Sequence, residues 1–146
     1  MTVCPTDPDA NTPPRPIAVL VIDDQATVRD ALVRLIACAP FALRAVEGAS
    51  HPAEALALAR TLRPEVVVLD VDLGGEDGLA LLPLLIPQAR VLVLSSRADA
   101  STRRRALQAG ASAFVDKQEP AAVLLDCLSD LVSQNALTAA SEQPPR

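Results

Sequence analysis

The chain is nearly devoid of aromatic residues, with two phenylalanines, no tryptophan and no tyrosine in 146 residues. Its core must therefore be aliphatic, drawn from the Ala, Val, Leu and Ile of the apolar half of the sequence. Histidine occurs once, as His51, and the three cysteines (Cys4, Cys38, Cys127) are odd in number and far apart. This spacing excludes the paired Cys/His ligands of a zinc site. It reads as reduced thiols in a cytoplasmic compartment, with Cys38 and Cys127 set in apolar helical patterns as core residues. Basic charge is also short: 13 Lys and Arg against 18 Asp and Glu give a net charge of −5. That argues against direct nucleic-acid contact. No apolar stretch approaches the roughly 18 residues of a membrane span. The first sixteen residues hold five prolines and no apolar block, and read as a disordered leader rather than a signal peptide.

What is present is an alternation of strand-like and helix-like segments over 17–133, followed by a flexible tail over 134–146. Ala26–Ala37 is helix-like, with Val28, Leu32, Leu35 and Ile36 on one face, and Pro40 closes it. A short strand is expected over 42–46 and a strong helix over 52–62, started by Pro52. A short helix over 78–86 carries Pro83 inside it. A helix over 100–109 is stopped by Gly110, a small strand follows over 112–115, and the last helix covers 120–132. Five strands alternating with five helices predict one domain with a doubly wound α/β fold: a parallel sheet with helices on both faces.

Three of the apolar runs end in oxygen-bearing groups. Ile17–Ile22 runs into Asp23-Asp24, 65–69 into Asp70, and 91–94 into Ser95-Ser96. Short aliphatic runs of this kind are buried parallel strands. An open parallel sheet places its ligand site beyond the carboxyl ends of its strands. Three carboxylates and a hydroxyl would then meet at one edge. Two carboxylates about 4 Å apart repel by about 4 kcal/mol at an effective dielectric of about 20, so the cluster needs a cation. Hard oxygens without His or Cys select Mg²⁺, or Mn²⁺. A carboxylate beside such an ion can also attack phosphorus, giving an aspartyl phosphate. The plain alternative is helix capping, for which Asp is well suited; a single strand-end Asp would merit it, three together do not.

The ordered set resembles the receiver domain of two-component response regulators over 17–132. The family has an acidic pair after the first strand (Asp23, Asp24) and a phosphoacceptor after the third (Asp70). Ser or Thr follows the fourth strand (Ser95) and Lys the fifth (Lys117). Asp77-Gly78 and Gly110–Lys117 also match, and Phe114 falls at the switch aromatic. The resemblance implies a flavodoxin-like strand order of 2-1-3-4-5. It implies that Asp70 takes a phosphoryl group from the phosphohistidine of a sensor histidine kinase or histidine phosphotransfer protein. It implies Mg²⁺ on Asp24, Asp70 and the Asp72 carbonyl, with Asp23 reaching it through water. Lys117 and Ser95 would contact the phosphoryl oxygens, and Ser95 and Phe114 would switch a surface for a downstream protein target or a homodimer through the fourth and fifth helices. The chain would then be no enzyme beyond its own phosphorylation and dephosphorylation. If it is whole, output goes through protein contacts; otherwise it resembles receivers of the NarL type, which precede DNA-binding domains.

Some positions depart from the family. Gln118 stands where many receivers have a cis proline, so a trans bond is expected, since a non-proline cis bond costs about 3 kcal/mol. Asp72 and Gly74 follow Asp70, and Asp72 brings a further carboxylate to the site mouth. The segment 78–91 is short by roughly a helical turn. Arg103-Arg104-Arg105 is a solvated face or part of the fourth-helix surface, and His51 a surface residue at a helix start. Asp70-Val71-Asp72 also resembles haloacid-dehalogenase-type phosphatases, but there the acidic pair comes last. Gly74–Asp77 resembles part of a cyclic-dinucleotide synthase signature without its flanking aromatic. A receiver-like interaction module that is never phosphorylated is the remaining alternative.

Overall fold

A computed structural model describes residues 16–40, 42–96 and 99–141, apart from the side chains of Glu76 and of 134–141. The expected leader, with Cys4, lies outside these residues except for Pro16. The elements run β1 (Ile17–Ile22), α1 (Ala26–Ala37), β2 (Leu43–Ala49), α2 (Pro52–Leu62) and β3 (Val66–Asp70). A two-residue-per-strand ribbon, Asp72–Leu73 with Glu76–Asp77, follows. A 3-10 turn (Gly78–Leu81) leads into α3 (Leu82–Leu85), and then come β4 (Arg90–Ser95), α4 (Ala100–Gln108), β5 (Ala113–Asp116) and α5 (Ala121–Ser141).

The five main strands pair in parallel in the order β2-β1-β3-β4-β5. Every residue of β1 and β3 is buried, which is why both read as unbroken apolar runs. Alternate side chains enter two cores. Leu20, Ile22, Leu69 and Val93 meet α2, α3 and α4 through Ala55, Leu82 and Ala106. Val19, Val21, Val68 and Leu92 meet α1 and α5 through Ile36 and Leu128. Each fully buried Leu, Ile or Val contributes about 1.5–3 kcal/mol of transfer free energy, so numerous small aliphatics stand in for absent aromatics.

Local chemistry sets the helix ends. His51 starts α2: its Nδ1 accepts from the Glu54 amide at 3.3 Å, while Glu54 Oε1 accepts from the Ser50 amide at 2.8 Å. The first bond satisfies an amide that the first turn leaves open, and the second ties the residue before the cap to that turn. Pro83 lies in the first turn of α3, where its missing N–H costs nothing, so it begins that helix rather than kinking it. The third helix is as short as expected, one α turn after a 3-10 turn. Two expectations need correction. Cys38 is exposed at the carboxyl end of α1 and is no core thiol, whereas Cys127 is half-buried. The last helix runs beyond Val132 to Ser141, into the stretch expected as a tail.

Candidate functional site

The sheet register decides what meets at its carboxyl edge. Ile22 pairs with both Leu69 and Ala49, Asp70 with Leu94, and Ser95 with Asp116. The turns continue the pattern: the Asp23 amide donates to the Ala49 carbonyl at 3.0 Å, and that of Lys117 to Ser95 at 2.9 Å. Asp23, Asp70, Ser95 and Lys117 are thereby carried to one edge. Carboxylate oxygens of Asp23, Asp24 and Asp70 lie within 4.8 Å of one another. Asp23 and Asp70 are buried and Asp24 is exposed.

Lys117 reaches into this group. Its Nζ donates to Asp70 Oδ2 at 3.0 Å and stands 3.0 Å from Asp23 Oδ2. The second contact is an ion pair off the hydrogen-bonding direction. Asp23 Oδ2 is thus buried without an aligned donor among the described residues. Its other oxygen accepts from the Gln25 amide at 2.9 Å. Burial pushes the Asp70 carboxyl above its ordinary range; the Lys117 hydrogen bond opposes this, and the Asp23 charge adds to it. Burial alone would lower the Lys117 ammonium, but its contacts with Asp70 and Asp23 more than offset that and hold it above its usual range. The peptide bond from Lys117 to Gln118 is trans, as expected.

The loop after Asp70 is shaped by glycine. Gly74 and Gly75 both have positive φ, 61° and 90°, closing the ribbon as a two-residue turn. Gly78 passes so close beneath Asp70 that a Cβ there would stand 2.1 Å from the Asp70 carbonyl oxygen. The Asp72 amide donates to Asp70 Oδ1 at 3.2 Å. The Asp72 carboxylate is exposed and outside the three-carboxylate group; Asp72 instead lines a groove of about 330 Å³ with Ser95, Ser96, Asp77 and Arg105. Ser95 is buried at the end of β4. Phe114, half-buried on β5, packs against the core that includes Ala106 of α4.

Two contacts had not been anticipated. Arg105 forms an ion pair with Asp77 at 2.6 Å and ties α4 to the ribbon, while Arg103 and Arg104 are exposed. Arg29 Nη1 donates to the Asp23 carbonyl at 2.9 Å. A helical arginine six positions after Asp23 was the available signal.

Comparison with known proteins agrees with this geometry. Residues 19–129 match the response regulator receiver domain family. The chain is 41% identical over 110 residues to protein-glutamate methylesterase/protein-glutamine glutaminase 6 of Anaeromyxobacter dehalogenans, covering 72% of this chain and 30% of that protein. It thus spans about a third of the length of such methylesterase relatives. Among solved structures it resembles a response regulator from Burkholderia pseudomallei that contains a phosphorylated aspartic acid, a calcium ion and citrate. Identity there is 32%, coverage 88% of this chain and 75% of that one, and the TM-score 0.69. A LuxR-family regulator from Aurantimonas sp. SI85-9A1 superposes with a TM-score of 0.74 at 27% identity, covering 82% of this chain and 87% of that one. With five parallel strands in receiver order, an acidic cluster at their carboxyl edge and a match across most of its length, the chain belongs to the receiver domain family of two-component response regulators.

Proposed function

We propose that this domain accepts a phosphoryl group on Asp70 from the phosphohistidine of a sensor histidine kinase or histidine phosphotransfer protein, in a Mg²⁺-dependent transfer. The observation that carries the reading is the meeting of buried Asp70 and Asp23 with exposed Asp24 and with Lys117, the one ammonium at the cluster among the described residues. Three carboxylates against one ammonium, with a buried Asp23 oxygen lacking an aligned donor, suit a hard divalent cation. Asp23, Asp24 and Asp70, with the Asp72 carbonyl, would hold Mg²⁺ or Mn²⁺. When bound, the ion would supply positive charge that offsets the carboxylates and the phosphoryl oxygens.

The chain's own groups do the rest. An Asp70 oxygen forms the O–P bond as the P–N bond of the phosphohistidine breaks, and the imidazole leaves with the electron pair. Lys117, already bonded to Asp70 Oδ2, meets the charge arriving on the phosphoryl oxygens. Ser95 donates a hydrogen bond to one of them and is drawn inward, and Phe114 turns on β5. A local charge thereby biases a two-state surface for a downstream protein or for a second copy through α4 and α5. The phosphorylated aspartic acid of the similar Burkholderia pseudomallei regulator supports the assignment. The working unit is the body over 17–133.

Incubating the full chain with acetyl phosphate and Mg²⁺ and measuring its intact mass tests the reading. One phosphoryl group is expected on the parent, and none on Asp70→Asn or in the presence of EDTA. Labelling that survives Asp70→Asn would discard the assignment. A parent labelled neither by acetyl phosphate nor by a phosphohistidine protein would leave an interaction module instead.

A further inference from the structure

We infer that Arg29 is a positioning residue for the cation site, fastening the peptide plane from which Asp24 departs, and that Gly48 is glycine so that Arg29 can reach it. The inference rests on the reading of the acidic cluster as a Mg²⁺ site. Arg29 lies on α1, half-buried, and its guanidinium donates to the Asp23 carbonyl at 2.9 Å. That carbonyl belongs to the peptide joining Asp23 to Asp24, and a peptide unit is planar, so fixing its oxygen fixes the direction in which Asp24 leaves.

Asp23 has several other holds: its amide on Ala49, its Oδ1 on the Gln25 amide and its Oδ2 beside Lys117. Asp24 is exposed, and among the described residues no donor is bonded to its carboxylate. Gln25, which begins α1, makes no side-chain cap that would steady the turn. The guanidinium thus supplies a hold on the turn that α1 capping does not.

The path to that carbonyl passes over β2. A Cβ on Gly48 would stand 2.9 Å from both Cγ and Cδ of Arg29, closer than real contacts allow. The φ of Gly48 is not positive, so conformational freedom does not explain the glycine; the close approach does. Because the clash falls on a flexible stem rather than on backbone, alanine there would shift Arg29 and leave the sheet in place.

Charge and position pull in opposite directions, which makes the inference testable. Removing a nearby positive charge by itself tightens cation binding. Losing the fastening loosens it, and partners that orient ligands in this way typically alter metal affinity by about 10–100-fold. Mg²⁺ and Mn²⁺ affinities of the full chain are measured by calorimetry for the parent, Arg29→Met, Arg29→Lys and Gly48→Ala, with folding checked by circular dichroism. We expect about tenfold or greater weakening in Arg29→Met and Gly48→Ala, the latter with all charges retained, and partial recovery in Arg29→Lys, which keeps a donor. Unchanged or tighter binding in Arg29→Met, or parental affinity in a folded Gly48→Ala, overturns the positioning role. If Arg29→Met does not fold, Gly48→Ala decides alone. A parent that binds neither ion overturns the reading of the cluster itself, a separate and earlier failure.

Discussion

Among the described residues Lys117 is the one ammonium within ion-pair reach of both buried acids, and it keeps only 19% side-chain exposure against 1% and 4% for Asp23 and Asp70. Removing one partner of a buried pair leaves an uncompensated charge, at about 3–5 kcal/mol when burial is complete. Partial exposure reduces that figure, so Lys117→Met is expected to destabilise the metal-free chain by about 2–3 kcal/mol. Mg²⁺ should restore most of the loss. Equal denaturant midpoints for variant and parent in EDTA would contradict the pairing. At Cys127 the same desolvation acts on a thiol: burial first, then Asp130 and Asp126, push it above its ordinary value. The raised value means that thiolate appears only at more alkaline pH, and the thiol remains protonated below it. With Cys4 replaced by serine, alkylation at about pH 8 should modify exposed Cys38 quickly and Cys127 slowly, and Cys127 should catch up as the pH rises. Mass mapping of the two sites reads the difference. Equal rates at both would deny the burial of Cys127.

Among the elements, those the sequence showed clearly are those whose pattern follows from burial. β1 is buried on both faces, and α1 and α2 carry an apolar stripe; all three occupy their expected residues. The ribbon after Asp70 escaped because its strands have two residues each, too few for any periodicity. Gly74-Gly75 is the available turn signal, but in the sequence it reads only as a departure from the family. The exposure of Cys38 was not legible, since an apolar pattern does not reveal that its last residue lies beyond the buried turn. Likewise the Arg105–Asp77 pair joins positions far apart in sequence and emerges only once α4 is packed. The ribbon also carries the departures nearest the site. Gly78→Ala would drive a methyl into the Asp70 carbonyl, 2.1 Å away, so we expect loss of acetyl phosphate labelling together with a lower melting temperature. Full labelling of a stable variant would show that the close approach is dispensable. Asp72 holds Asp70 Oδ1 through its amide, and the exposed residue lines the groove that Ser95 also lines. Asp72→Asn keeps the amide and removes the charge, and should change the half-life of the phosphorylated chain. Equal dephosphorylation rates would end the idea that this carboxylate sets it.

For the whole molecule, the two aliphatic cores secure the sheet, while its carboxyl edge concentrates like charge with one ammonium to balance it. A ligand that binds the folded chain and not the unfolded one adds RT ln(1 + [L]/Kd), about 2.7 kcal/mol at a hundredfold excess over Kd. For a domain of this size each kcal/mol moves the melting temperature by about 4 °C, so Mg²⁺ at that excess should raise it by roughly 10 °C. Asp24 separates this effect from fold stability. It is exposed and stands among like charges, so Asp24→Ala should leave the metal-free chain no less stable than the parent, and more stable to the extent that repulsion within the cluster is relieved. It also removes one of the three converging carboxylates, so most of the Mg²⁺-dependent rise should vanish. Melting curves of both proteins with EDTA and with Mg²⁺ measure the two quantities together. A parent indifferent to Mg²⁺ would deny the cation site. An Asp24→Ala variant with the full rise would show that Asp23 and Asp70 hold the ion without it. A large loss already present in EDTA would mean that Asp24 supports the fold itself, against its exposure.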